Sequence, residues 1–456
     1  MNINQTTLFL SQRFLTELSF NGSRFLDKNP FLLHCEVALF RYKMDRVKSA
    51  LFVLLVLSLV LVSFPQNEVE AEANTVFVPD DYSTIQEAID NAAEGDTVFV
   101  KNGVYQVDDN TTMVISKTLS LIGEDPENTV ILGVFSMYPE NDVAIRLAAP
   151  NVTISGFTIT NCRVAIAIVN YYAEPYPSGC KIINNNIVNN SEGIRPQRNN
   201  LLISGNNITN NQGGIAGYNT ENIVITENNI TNNYYGINIG QSRNVTVCGN
   251  NISNNTGGLN LIYYGPYAVY GNNITKNDWG IRFAEGCHNA TVCGNNITQN
   301  GVGVVLLNFP NGGDVVVSGV GNTVFGNLFI DNSEQVSQDE LDYNIPDTWS
   351  MGTDIVLWDN GTIGNYWDDY AGLDENGDEI GDTPYIIDEN NQDNYPSMNP
   401  VDISAIPEFP SWVILPLLAT MISVILIYRK NMKLSGQMGG SKVNSSFFSS
   451  DNSRGS

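Results

Sequence analysis

One isoleucine recurs along the middle of the chain at Ile187, Ile208, Ile230, Ile252, Ile274 and Ile297, at spacings of 21, 22, 22, 22 and 23 residues. A unit this short holds no helical hairpin, so arrays of paired helices are excluded. Within a unit apolar residues alternate: Val245 and Val247 stand seven and five places before Ile252, and Leu259 and Leu261 stand seven and nine after it. Period two is the pattern of strands buried on one face. Position six after the isoleucine is always glycine, at Gly193, Gly214, Gly236, Gly258, Gly280 and Gly303, as a bend needing positive φ or a close backbone approach requires. Three short strands and three bends per unit predict an all-β fold, a right-handed parallel β-helix whose coils stack about 4.8 Å apart.

Stacking turns each repeat position into a column. Asn185, Asn206, Asn228, Asn250, Asn272 and Asn295 stand two places before the isoleucine, and Asn190, Asn211, Asn233, Asn255, Asn277 and Asn300 three places after it. An amide both donates and accepts, so these two columns are expected to be buried structural ladders. A third column, one place before the isoleucine, faces outward if the isoleucine faces in. It holds the N-glycosylation sequons Asn207, Asn229, Asn251, Asn273 and Asn296. Glycans on every coil would collide at the strand spacing, so occupancy is expected at a scattered subset and at sequons elsewhere, Asn110, Asn151 and Asn360.

The formal charge of −26 argues against a nucleic-acid partner, whose phosphates demand a basic surface. From Phe283 to Tyr428 there are 22 Asp or Glu and no Lys or Arg, a bias that suits cation binding or a salty medium. Residues 44–73 have the basic start, apolar run and small residues of a secretory signal peptide, which suggests that 1–43 is a misassigned extension with Met44 the start; if Met1 is the start, the same run is read instead as an anchor. Residues 412–428 are apolar and followed by Arg429, Lys430 and Lys433, which predicts a membrane helix with the tail 429–456 on the cytoplasmic side. The β-helix is expected over 74–345, an acidic C-terminal cap over 346–402, and a linker at 403–411.

The segment VPDDYSTIQEAIDNAAEGDTVFVKNGVY, with a short amphipathic helix from about Thr84 to Ala93, resembles the N-terminal cap of secreted β-helix proteins. The NNI repeats are similar to the family of carbohydrate-binding proteins and sugar hydrolases, in the branch resembling the periplasmic protein NosD. Gly364 to Tyr370 and the IPEFPSW before the apolar segment resemble the ends of archaeal surface-anchored members. The resemblance covers roughly residues 74–428 and implies a surface protein that binds or displays a polysaccharide or surface glycan. The alternatives are a polysaccharide lyase or glycoside hydrolase, and a copper-maturation accessory protein.

Candidate sites follow from residue chemistry. Asp374, Asn376, Asp378 and Asp382 stand at positions 1, 3, 5 and 9 of a calcium-loop order, with Ile380 as a carbonyl donor. The pattern departs from an EF-hand, because Glu379 replaces the glycine and Tyr385 the final glutamate. The resemblance brings copper into question, yet between about residues 74 and 410 soft donors are few: His288, Met113, Met137, Met351 and Met398, with Cys287, His288 and Cys293 as the one soft cluster. Cys162 and Cys180 are candidates to pair across an insertion, whereas Cys248 and Cys293, two coils apart, are too distant. Asp368 and Asp369 are the candidate acid pair, although neighbours on a strand face opposite ways. Tyr235 and Trp279 share a column two coils apart, about 10 Å by the strand spacing. With Tyr263 and Tyr264 nearby in sequence, they are the candidate sugar-stacking platforms. No catalytic residue is assigned.

Overall fold

The computed structural model describes residues 73–107, 112–134, 143–168, 177–197, 200–307, 319–339 and 356–400. The expected extension, linker, membrane span and tail, and all but the last residue of the leader, lie outside them. Among the described residues no helix is long and apolar enough to cross a membrane.

The alternation of the repeat folds as a parallel β-helix with three faces. On the second face Asn229–Thr231 pairs in register with Asn251–Ser253, which pairs with Asn273–Thr275, always parallel, through eleven strands. The first face carries strands such as Glu221–Thr226, and the third carries Gly213–Tyr218 and Gly257–Tyr264. The strand Tyr235–Cys248 bends from the third face into the first, so these two faces share one network of hydrogen bonds. The repeating isoleucines all point inward and are fully buried, each contributing about 1.5–3 kcal/mol of apolar burial.

Two bends flank each strand of the second face, and their residues are left-handed. Asn184 and Asn189 bracket Ile187, Glu227 and Asn232 bracket Ile230, and Gly294 and Gln299 bracket Ile297, all with φ between 54° and 63°. Each left-handed residue immediately precedes a ladder asparagine. The repeating glycine has a different cause. A Cβ on Gly258 would lie 2.3 Å from the carbonyl oxygen of Gly280, and one on Gly236 would lie 2.8 Å from that of Gly258. Successive coils approach too closely at this column for any side chain.

The two buried asparagine columns are hydrogen-bonded ladders. The Oδ1 of Asn250 accepts from the backbone N–H and the Nδ2 of Asn228, each at 3.0 Å, and its own Nδ2 donates to Asn272 Oδ1 at 2.9 Å. The same contacts run from Asn185 through Asn206, Asn228, Asn250, Asn272 and Asn295. They continue beyond the regular repeat to Asn327 and Asn365, after intervals of 32 and 38 residues. The other ladder joins Asn190, Asn211, Asn233, Asn255, Asn277 and Asn300 to Asn332. Every Nδ2 points toward the C-terminal end, so the aligned amides present donors there, and an acceptor-only side chain is needed to end each row. Asp393 ends the first row and Asp368, through Gln335, the second.

The stack runs past residue 345, where the repeat spacing had suggested an end. Val356–Leu357 pairs with Asn322–Phe325, and Tyr366–Trp367 with Leu328–Ile330. The inward column closes with aromatic rings: Phe329 stacks on Trp367 at 4.3 Å and 12°, and Trp367 on Tyr385 at 4.3 Å and 8°. At the other end the helix Ile85–Asn91, capped by Thr84 Oγ1 on Glu87 N–H at 3.1 Å, buries Ile85, Ala88 and Ile89 over the first coil. Both open ends of the solenoid are thereby covered.

Candidate functional site

The third face carries a depression that follows from side-chain size along its outward columns. One column reads Glu192, Gly213, Tyr235, Gly257, Trp279 and the next Arg195, Ala216, Asn238, Asn260, Arg282, coil by coil. Gly213 and Ala216 leave a hollow between the flanking coils. A cavity of about 540 Å³ opens there, lined by Ser191, Glu192, Gln212, Gly213, Ala216, Tyr234, Tyr235 and Asn238. On one side Glu192 and Arg195 form a two-pronged pair, Nε to Oε2 at 2.6 Å and Nη2 to Oε1 at 2.7 Å. On the other side the rings of Tyr234 and Tyr235 meet edge to face at 4.6 Å.

Trp279 does not form the separate platform that the 10 Å column spacing suggested. Its ring folds over Gly257, where a Cβ would lie 2.1 Å from it, and reaches Tyr235 at 6.1 Å and 49°. The absent side chain of Gly257 admits the ring, and contact between the two aromatics removes more apolar surface than two isolated rings would. Arg282 lies over the Trp279 ring at 4.3 Å. Its Nε donates to Asn260 Oδ1 at 3.1 Å, and Asn260 Nδ2 donates to Asn238 Oδ1 at 3.1 Å.

Tyr263 and Tyr264 lie elsewhere. Tyr264 pairs in register with Ser242, seven residues along the strand from Tyr235, or about 23 Å. Both tyrosines have a φ of 51° at the corner between the third and first faces, and Arg243 lies 5.9 Å from the Tyr264 ring. They make a corner, not an extension of the hollow.

A second cavity, of about 670 Å³, is lined in part by Asp331, Glu334, Asp368, Asp369 and Tyr385. Asp368 and Asp369 face the same space, contrary to the alternation expected of a strand, because the strand ends at Trp367. Asp368 accepts from Asp331 N–H and Gln335 Nε2, each at 2.6 Å, and Asp369 Oδ2 accepts from the Tyr385 hydroxyl at 3.1 Å. Burial, with Asp369 beside it, raises the Tyr385 phenol above its ordinary range. Asp393 is the carboxyl with the strongest perturbation, pushed up to about 6 by burial against the opposing effect of its Asn365, Trp367 and Tyr395 donors. It is fully buried as a ladder terminus and faces no cavity among those described.

In the acidic loop, Asp374 Oδ1 accepts from Gly377 N–H at 2.6 Å and Asp378 N–H at 3.2 Å, and Oδ2 from Glu379 N–H at 2.9 Å. Asn376 and Asp378 accept from the N–H two residues on, and Asp382 accepts from Glu375 N–H and Asn376 Nδ2. Glu379 has a φ of 67°, the conformation for which an EF-hand uses glycine. Among the described residues no group of three or more His, Cys, Asp or Glu is close enough to hold a metal ion.

The sequons divide by place. Asn110 lies outside the described residues. Asn151 is exposed, and Asn360 accepts from Thr362 N–H and its hydroxyl at 3.0 and 2.9 Å. The outward column is a ladder in its own right: Asn229, Asn251, Asn273 and Asn296 each donate Nδ2 to the preceding coil's carboxamide, at 2.7 to 2.9 Å. Cys162 and Cys180 do not pair. Their thiols face the carbonyls of Thr160 at 3.2 Å and Ala149 at 3.5 Å.

Residues 89–272 and 176–372 match the family described as periplasmic copper-binding protein (NosD). The chain belongs to this family. No curated protein matches it. Among solved structures, it is similar to the A-module of mannuronan C-5 epimerase AlgE6 from Azotobacter vinelandii, at 16% identity over 56% of this chain and 91% of that one, with a TM-score of 0.42. It is also similar to DFA-IIIase from Arthrobacter chlorophenolicus A6, at 12% identity over 64% and 93%, TM-score 0.39. The Dettilon tailspike protein (gp208) matches at 16% identity over 57% and 62%, TM-score 0.39.

The copper in the family's description finds no fitting donor set among the described residues. Cys287 is buried with its thiol against Asn322, 3.9 Å away, and His288 Nδ1 accepts from Val320 N–H at 3.1 Å. Burial pushes the Cys293 thiol up to about 11. Met113 is buried, and Met137 and Met351 lie outside the described residues.

Proposed function

We propose that the protein is an extracytoplasmic β-helix that binds carbohydrate on its third face without transforming it. One observation carries this reading: a hollow floored by Gly213, Ala216 and Asn238, with an aromatic wall at Tyr234 and Tyr235 and polar groups at Glu192 and Gln212 opposite. An apolar ring face beside fixed hydrogen-bonding groups is what a sugar ring, with its apolar face and hydroxyl edge, requires. Of Asp368 and Asp369, the acid pair a hydrolase would need, Asp368 accepts from Asp331 and Gln335 as the end of an asparagine row, a structural role, and Asp369 accepts from Tyr385. The family's periplasmic description supports a location beyond the cytoplasm, with residues 412–428 as the membrane anchor and glycans at Asn151, Asn360 and part of the outward column.

Calcium belongs to the same proposal. Asp374, Asn376, Asp378 and Asp382 supply its side-chain ligands and Ile380 a carbonyl, supported by the turning backbone around Asp374 and the left-handed Glu379.

A glycan array probed with the full-length protein, with and without calcium, tests the carbohydrate reading. The informative variant is Gly213→Tyr, because a Cβ there meets only Ala216 at 3.5 Å and Glu192 at 3.8 Å, ordinary contacts. It fills the hollow without straining the coil. Binding by the native protein that Gly213→Tyr abolishes is expected; release of shortened products would establish an enzyme instead.

A further inference from the structure

We infer that the glycan this face takes is acidic, a polyuronate, with Arg282 reading its carboxylates. The inference rests on the carbohydrate reading above and adds the chemical class of the ligand.

Arg282 is the last Lys or Arg before residue 429, in a chain of net charge −26. Its guanidinium is positioned without being neutralised. Trp279 holds one face at 4.3 Å and Asn260 accepts from Nε at 3.1 Å. No carboxylate lies within ion-pair distance of it among the described residues. The contrast with Arg195 is direct. Arg195 shares the same outward column and is held by Glu192 in both prongs, so it has its anion already. Arg282 keeps its two Nη groups, the part of the fork that matches a carboxylate.

Position supports the same ligand. Arg282 is three coils from Ala216, about 14 Å along the stack, so a chain of a few sugars lying in the hollow with Tyr235 beside it reaches the guanidinium. Between them Asn260 is buried and donates Nδ2 to Asn238 Oδ1, and Asn238 lines the hollow. Of the acids near this column, Glu192 is paired with Arg195, Asp278 is exposed at the turn before Trp279, and Glu334 continues the Trp279 column two coils on. The local carrier of charge on the ligand's path is therefore the arginine, in a molecule whose overall charge would repel a polyanion.

The test uses galacturonate, glucuronate and mannuronate oligomers, each paired with its carboxyl-reduced neutral counterpart, titrated calorimetrically into the full-length protein. At least one acidic member is expected to bind about tenfold more tightly than its neutral partner, with a preference that falls as salt rises. Arg282→Gln should erase the preference, so that each acidic oligomer binds no more tightly than its neutral partner. Arg282→Lys retains the charge over Trp279 but not the fork, and should lose most of it. An unchanged thermal midpoint in both variants separates this from misfolding. Equal affinities in the native protein, or a preference that survives Arg282→Gln, would overturn the acidic assignment and leave the carbohydrate reading standing. Absence of binding to all six probes would overturn the acidic assignment; loss of the array signal as well would remove the carbohydrate reading with it.

Discussion

The backbone N–H of Asn365 lies 2.7 Å from Oδ2 of Asp393, and this contact ends a row of amides that begins at Asn185. The same oxygen accepts from Trp367 Nε1 at 2.9 Å, while Oδ1 accepts from Tyr395 N–H at 3.0 Å. Both oxygens face donors only. An asparagine here would turn an NH₂ toward one of those donors, so Asp393→Asn is expected to lower the thermal midpoint, by a loss of about 1–3 kcal/mol. An unchanged midpoint would mean that the row needs no acceptor at its end.

The same residue predicts a pH dependence. Burial pushes the Asp393 carboxyl up to about 6 in the folded protein, above its ordinary value of 3.8. A raised folded value means that the native state binds the proton more tightly. The contribution is therefore fully present below about 3.8 and is lost as pH rises through about 6. Native protein should gain stability relative to Asp393→Asn as pH falls from 7 to 5, measured as the difference between their midpoints at each pH.

Adjacent asparagines should behave differently. Asn295 accepts from Asn272 and donates to Val269, Cys293 and Asn327 in the buried interior. Asn296 makes one exposed side-chain contact, to Asn273. Asn295→Ala is expected to cost about 2–4 kcal/mol and Asn296→Ala under about 1 kcal/mol. Equal losses in thermal denaturation would show that the outward ladder holds the coils as firmly as the inner one.

Two glycines separate close approach from backbone conformation. Gly258→Ala pushes a methyl group against the Gly280 carbonyl, whereas Gly271 has a φ of 63° and only Gly249 N at 3.9 Å from a new Cβ. Gly258→Ala should destabilise by several kcal/mol, and Gly271→Ala by about 1 kcal/mol. Comparable midpoints would contradict the coil contact as the reason for the invariant glycine.

Calcium is checked by adding the ion. A millimolar excess should raise the midpoint of the native protein and not that of a variant carrying both Asp374→Asn and Asp382→Asn, since a ligand that binds only the folded state stabilises it by mass action. No shift in the native protein would remove calcium from the loop.

The regular parts of this fold were legible in the sequence because a solenoid repeats its environment. The isoleucine, the two inner asparagines and the glycine each meet the same neighbours on every coil, so period and column sufficed to find strands and ladders. Where the intervals open to 32 and 38 residues the period vanishes, and Asn327, Asn332 and Asn365 were not recognised as continuing them. The termini Asp393 and Asp368 carry no repeat signal at all; what places them is a row of donors that exists only once the coils are stacked.

The candidate site shows the same division. Sequence by itself determined that Tyr235 and Trp279 share one column two coils apart, because the repeat period decides which residues stack. Only tertiary structure decided that Trp279 folds across Gly257 onto Tyr235, that Glu192 takes Arg195, and that Arg282 packs on Trp279 and donates Nε to Asn260. Those outcomes depend on which neighbouring coil lacks a side chain and which offers an acceptor, a matter of rotamers and contact between coils that no single repeat contains.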